Sequence, residues 1–338
     1  LSRLDSINQP PASSGWEDGL PQLLASHPRE TAVLLVLGSL LLTLGVAAPG
    51  FFTAGNLRDI LLINLPVLIT SIGMTMIIVT RQIDVSIGAQ FACCTVATGV
   101  LSKLGLPLPA FGPLVILLGV AIGALIGGMV AYGRVPSIVV TLAMMIILRD
   151  SLTWLTEGAW VQGLPRHFQW LGLGQVVGQA TIITVVLLIW LVFNWGLANL
   201  AAGRAIYAVG ADAEAARLAG LPSRLITFAV FAVAGGLTGL ASLCNSLRFA
   251  ELQSNAGVGL EMKTIAAVVV GGAAVSGGRG TLAGSLAGVA LLGTIGTALT
   301  FLGVDPSWEK AIQGMIILAA ISADLLLDQS RRLRGAHA

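Results

Sequence analysis

Tyr207-Ala-Val-Gly-Ala-Asp-Ala-Glu-Ala-Ala-Arg-Leu-Ala-Gly220 reads as a short polar helix between glycines, set in a chain that is otherwise almost wholly apolar. Asp212 caps its start, Glu214 complements the positive end of its dipole, and Gly220 followed by Pro222 stops it. A helix this short is not stable alone in water. It needs a surface to dock against, and a partner protein is the natural one.

Around this helix the chain is membrane-like. Of 338 residues, 56% are hydrophobic and 10% are charged, and the mean hydropathy is +0.91. Soluble domains carry about 25% charged residues. The deficit and the repeated long apolar runs point to an all-α polytopic transmembrane bundle. The 42 glycines agree, because small residues let membrane helices approach closely. Cys93, Cys94 and Cys244 have no metal or redox spacing and read as packed thiols.

The expected spans are 31–49, 60–80, 84–102, 112–132, 137–156, 178–196, 225–247, 261–277, 280–303 and 308–328. The first run, Thr31 to Pro49, is not a signal peptide on this reading. Its leader is long and holds Asp5, Glu17, Asp18 and Glu30, and the run exceeds the usual apolar core of about 7–15 residues. Residues 1–30 read as a cytoplasmic tail with a short amphipathic stretch near Trp16 to Leu24. The span 261–277 is short and reads as broken or re-entrant. Arg331, Arg332 and Arg334 place the tail 329–338 in the cytoplasm, and Arg204, Arg217 and Arg224 place 197–224 there too. Both placements hold together only if 261–277 crosses, which gives about ten spans with both termini inside.

Gly119, Gly123 and Gly127 recur at four-residue spacing, as do Gly280, Gly284 and Gly288, and the pair Gly235 and Gly239. These ladders read as helix-packing faces within the subunit, or as a subunit contact. Lys103, Lys263 and Lys310 are the three lysines, and none closes a G-x-x-x-x-G-K-[ST] loop. The run Ser276-Gly-Gly-Arg-Gly-Thr281 therefore reads as a tight turn at the cytoplasmic face. His27, His167 and His337 lie in tails or a loop, so no catalytic set is expected and the chain does not read as an enzyme. The ionisable groups near membrane depth are Asp84, Arg149 with Asp150, Glu261 with Lys263, and Asp324. Arg149 and Asp150 are expected to compensate one another. Asp84 and Glu261 are pathway candidates, with helix capping as the alternative role for Asp84. No metal site is expected.

Four blocks carry a resemblance: Gly73-Met-Thr-Met-Ile-Ile-Val-Thr-Arg-Gln-Ile-Asp-Val-Ser-Ile-Gly88; Val135-Pro-Ser-Ile-Val-Val-Thr-Leu-Ala-Met-Met145 with Leu148-Arg149; the helix at 207–220; and Ile265-Ala-Ala-Val-Val-Val-Gly-Gly-Ala-Ala-Val-Ser-Gly-Gly-Arg-Gly280. In their order and spacing over residues 60–328, they resemble the membrane permeases of bacterial ABC importers of the ribose, xylose, arabinose, rhamnose and autoinducer-2 class. The resemblance implies a multi-pass protein of the bacterial inner membrane, with a permease domain over 31–328. It implies a second permease subunit, identical or a related sister, and a periplasmic sugar-binding protein outside. Nucleotide-binding ATPase subunits inside would use ATP and Mg, with no cofactor bound by this chain and no nucleic acid involved. By position, Gly210, Asp212, Glu214, Ala215, Arg217, Leu218 and Gly220 would form the ATPase-coupling surface. Two departures stand out. Arg81-Gln82 occupies a position where the family commonly has two glycines, and Gly210-Ala211-Asp212 stands where it commonly has Gly-Gly-Asn.

The leading expectation is a passage for a small monosaccharide of rhamnose or ribose type. The alternatives are an ion-coupled secondary transporter of a small polar solute and a membrane assembly factor. The secondary transporter should carry paired broken helices with midplane charges. The sequence offers one short span and no visible counterpart. The loop from Trp154 to Trp170, rich in aromatics, reads as interfacial anchors or as a docking rim for the binding protein.

Overall fold

The computed structural model describes residues 28–165, 167–305, 307–316, 318–319 and 322. Most of the expected tail 1–30, together with Arg166, Asp324 and the tail 329–338, falls outside them.

The described residues form helices α1 (Pro28–Ala47), α2 (Ala54–Val79), α3 (Ile87–Lys103), α4 (Leu108–Ala131), α5 (Ser137–Thr156), α6 (Gln175–Asn199), α7 (Ala201–Ala211), α8 (Ala213–Leu218), α9 (Ser223–Ser246), α10 (Leu260–Val270) and α11 (Leu282–Phe301). A further helical stretch, α12, covers 308–316. Helices α2, α4, α5, α6, α9 and α11 are long and apolar enough to cross a membrane. Each of the ten expected apolar runs contains a helix.

The sequence makes α2 the axis of the bundle. From Leu65 to Val79 every one of its residues is buried, whichever way it points. An apolar helix without a polar face is covered all round. Helix α9 packs on it through Gly73, where a Cβ would stand 2.8 Å from the Cβ of Ala234. On its other side α9 meets α4 through the glycine ladders. A Cβ at Gly119 would lie 2.3 Å from the Gly235 carbonyl oxygen, and one at Gly235 would lie 2.2 Å from that of Gly119. The ladders are therefore contacts within the subunit, backbone against backbone. Gly284 and Gly288 likewise face α10: Gly271 has no room for a Cβ beside the Gly284 oxygen, at 2.3 Å, nor Gly288 beside that of Ala267, at 2.0 Å. Gly280 lies outside α11, in the turn before the capping residue Thr281.

Two helices begin inside the bundle, partway along their neighbours. Thr264 in the first turns of α10 shares a 3.0 Å hydrogen bond with Thr70, midway along α2. From there α10 runs beside α2 towards its C-terminal end, where the amide of Gly278 donates to the Val79 carbonyl at 2.9 Å. With 11 residues, α10 covers about 16 Å, half of a hydrocarbon core of about 30 Å. Residues 248–259 run along α3, with Leu252 against Gly99 and Gly257 against Gly88 and Phe91. Within the expected span 261–277 the helix stops at Val270 and turns follow.

Helix α3 is its counterpart, which the sequence reading did not see. Its Thr95 bonds Ser242 of α9 at 2.9 Å, and the two helices run the same way. Ile87 thus starts level with Ala234 and Gly73, in the middle of the bundle. Residues 80–86 fold back from the end of α2 to reach that level. The run 84–102 looks like one span because only its first three residues, Asp84, Val85 and Ser86, are non-helical, and an apolar helix follows them directly.

Candidate coupling helix and midplane carboxylates

Helix α8 has the features its sequence predicts. Asp212 accepts from the amides of Glu214 at 2.9 Å and Ala215 at 3.0 Å. These two donors hold the Asp212 carboxyl below its ordinary range. Glu214 and Arg217 lie three residues apart on one face, and Arg217 donates to Glu214 from Nε at 2.9 Å and from Nη2 at 2.5 Å. Their pairing lowers the Glu214 carboxyl and raises the Arg217 guanidinium. At the C-terminus Gly220 takes φ +85°, a left-handed position that glycine fills without cost. The amide of Leu221 closes the turn on the Ala216 carbonyl at 3.0 Å.

Ala216 is the buried residue of this helix. Asp212, Glu214, Ala215, Arg217, Leu218 and Gly220 are exposed, and Leu218 keeps 76% of its surface open. A leucine so exposed beside a fixed ion pair is an anchor without a pocket. Gly210 departs from the expectation. It is buried and cannot belong to an outer docking surface: a Cβ there would stand 1.7 Å from the Val79 carbonyl oxygen.

Gly210 is instead the centre of a joint. Arg81, in the left-handed region at φ 62°, donates from Nε to the Gly210 carbonyl at 2.6 Å and from its terminal nitrogen to the Ala211 carbonyl. Tyr207 donates its hydroxyl to the Gly280 carbonyl at 2.7 Å. The ends of α2 and α7, the glycine turn 277–280 and the start of the re-entrant segment 80–86 therefore meet at one point. The sequence reading registered Arg81 only as a bulky departure at a turn. The turn reading of 276–281 holds, with Gly277, Gly278 and Gly280 at positive φ.

Five residues beyond the joint the re-entrant segment reaches Ser86, where Asp84 is buried. Its Oδ1 accepts from the Ser86 amide at 2.8 Å and hydroxyl at 2.5 Å, and its Oδ2 accepts from Gln90 Nε2 at 3.0 Å. Two of these donors belong to Ser86, which flanks α3, and the third to the Gln90 side chain in its first turn; no backbone amide of α3 donates to Asp84. Glu261 opens α10. Its Oε1 accepts from the Gly259 amide at 3.2 Å, while Oε2 is buried without a partner against Gly88. The structure thus brings the N-termini of α3 and α10 together across Gly88, with one carboxylate near each. No hydrogen bond joins Asp84 to Glu261 among the described residues. Arg149 and Asp150 do not pair. The described residues include the ion pairs Arg58–Asp59, Arg217–Glu214 and Lys263–Glu309, and none between Arg149 and Asp150.

At the end of the bundle opposite α8, the aromatic loop is tied to the segment 247–252. Val161 and Leu252 exchange amide hydrogen bonds at 2.8 and 3.1 Å, and the Trp170 amide donates to the Leu247 carbonyl at 2.7 Å. Trp154 is 80% exposed. Cys94 and Cys244 are buried, Cys93 is half-buried, and all three are free thiols, as expected.

Residues 56–321 match the model of the family described as branched-chain amino acid transport system / permease component. The chain is 35% identical over 297 residues to the ribose import permease protein RbsC of Escherichia coli (strain K12), covering 86% of this chain and 91% of that protein. It is 31% identical over 296 residues to the autoinducer 2 import system permease protein LsrC of Salmonella typhi, covering 88% of this chain and 85% of that one. No solved structure matches it.

Proposed function

The chain belongs to the branched-chain amino acid transport system / permease component family, and on that premise we propose that it is the membrane subunit of an ATP-driven importer. Its cargo on this reading is a small monosaccharide of ribose or rhamnose type, because the similar proteins include a ribose import permease. About ten spans, with both termini in the cytoplasm, put α8 on the inner face. The partners are ATPase subunits that use ATP and Mg, a periplasmic binding protein, and a second permease subunit, identical or a sister chain. The chain itself carries no catalysis.

The observation that supports this reading best is α8 itself. It is capped at both ends, it presents Leu218 beside the Glu214–Arg217 pair, and its root is fixed by Arg81 to the segment leading to Asp84. A helix-in-groove contact on the ATPase would fill that face, and a push on it would be felt at residues 80–86.

Paired half-helices are also a device of ion-coupled transporters. Here the Asp84 carboxylate is engaged by Ser86 and Gln90, which leaves it a poor carrier of a coupling ion. Reconstitution with the ATPase and binding protein separates the two. ATP-dependent uptake of ribose or rhamnose, indifferent to proton and sodium gradients, supports the importer. Uptake driven by either gradient without ATP overturns it.

A further inference from the structure

A cavity of about 400 Å³ lies between α2, α10, α11 and α12, towards the end opposite α8. Asn64, Lys263, Thr297, Glu309 and Gln313 are among its lining residues. Lys263 stands next to Thr264, whose hydroxyl meets Thr70, so the floor of the cavity is level with the apolar interior of α2. Lys263 Nζ and Glu309 Oε1 are 2.6 Å apart, and Gln313 Nε2 donates to the same oxygen at 2.9 Å. Glu309 is packed against Gly296, where a Cβ would be 2.8 Å from the carboxylate.

This pair is not buried. The Lys263 side chain is 41% exposed and that of Glu309 22%. Charges at this depth cannot face lipid without a cost of several kcal/mol, roughly 2.5–3.5 for each on insertion scales. The cavity therefore faces water. Pairing cancels the formal charge of the wall, so an anion or a cation has no advantage there. What remains is a mixture of amide and hydroxyl groups with Val67, Val289 and Leu292 between them. Such a wall suits a solute with hydroxyls at its rim and C–H faces across its ring. The volume falls within the roughly 300–1,000 Å³ range of small-ligand pockets.

Resting on the importer reading above, we propose that this cavity is a binding station in the outer half of the passage for a neutral polyhydroxylated solute of monosaccharide size. Asn64, Lys263, Glu309 and Gln313 bind its hydroxyls.

Thiol chemistry in the assembled complex tests this. Cys93, Cys94 and Cys244 are first replaced by alanine. Thr297→Cys and Gln313→Cys are then compared with Leu188→Cys, on the exposed apolar face of α6. A charged methanethiosulfonate reacts with the thiolate, which forms in water and not in lipid. The two cavity thiols should react at least about tenfold faster than Leu188→Cys, and saturating D-ribose or L-rhamnose should slow them at least about threefold. Reactivity no greater than that of Leu188→Cys overturns the proposal, and so does fast reaction that neither sugar slows. Uptake is measured on the cysteine-free parent complex, which keeps Gln313, and on Thr297→Cys. Absence of ATP-driven uptake with either sugar counts against the importer reading, whereas unreactive thiols in a complex that still transports count against the cavity alone.

Discussion

Arg81 Nε donates to the carbonyl of Gly210 at 2.6 Å, across 129 residues of sequence. The bond joins the root of α8 to the segment that turns back towards Asp84. Arg81 holds it from a left-handed backbone position that costs a non-glycine residue about 1–2 kcal/mol. The clamp's two hydrogen bonds from a charged donor offset that strain.

Arg81→Gly separates strain from function. Glycine relieves the backbone and removes the clamp. Membrane yield and thermal midpoint should stay close to those of the parent protein, while ATP-driven uptake falls by about tenfold or more. The ATPase should still co-purify, because α8 keeps its own caps and ion pair. Normal uptake in Arg81→Gly would remove the relay.

Gly210 and Gly220 should fail differently. At Gly210 a Cβ meets backbone at 1.7 Å, so Gly210→Ala must move α7 or α2. Its yield in the membrane should drop sharply. At Gly220 a Cβ meets nothing within 4 Å, and the penalty of Gly220→Ala is the positive φ alone, roughly 1 kcal/mol. That variant should insert normally and bind the ATPase more weakly. Co-elution on size exclusion and membrane yield distinguish the two.

Glu214→Lys should act on docking rather than on the fold. The pair it breaks is exposed to solvent, where such pairs contribute little to stability. Yield should therefore be unchanged while ATPase co-elution weakens. The pH dependence has a definite sign. Asp212 and Glu214 are both lowered in the folded protein. Their contribution is complete above the unfolded carboxyl values of about 4 and is lost only as pH falls through the lowered ones. Docking should be flat from neutrality to mildly acidic pH, and co-elution across that range checks it.

The carboxylates of Asp84 and Glu261 should not be equivalent. Asp84 accepts from two donors of Ser86 and one of Gln90. Asp84→Asn replaces one acceptor with a donor and should destabilise the protein by about 2 kcal/mol, visible as a lower thermal midpoint. Glu261→Gln should be milder, because Oε2 has no partner to lose. Neither variant should make uptake respond to a proton or sodium gradient. Uptake assays under imposed gradients would reveal the contrary.

Topology is accessible by labelling in intact cells. His167→Cys should react with an impermeant thiol reagent, whereas Arg217→Cys and Gly335→Cys should not. Reaction at position 217 from outside would invert the arrangement and with it the role of α8.

The sequence by itself determined the class of the fold and the position of nearly every helix, because long apolar runs in a charge-poor chain have one stable answer in a bilayer. It also determined the design of α8. The Asp212 cap, the Glu214–Arg217 pair and the Gly220 stop all act within three or four residues, so their spacing is their geometry. Tertiary structure alone decided depth and facing. Hydropathy reports that a residue leaves water, and not how far into the membrane it sits. The run 84–102 therefore hid a helix that starts halfway, and Gly210, counted on a surface, proved to be a buried joint. Arg81 with Gly210, and Lys263 with Glu309 across 46 residues, meet only because the half-helices and the glycine contacts fold distant segments together. No local period encodes such pairs, since their partners are chosen by packing rather than by spacing along the chain.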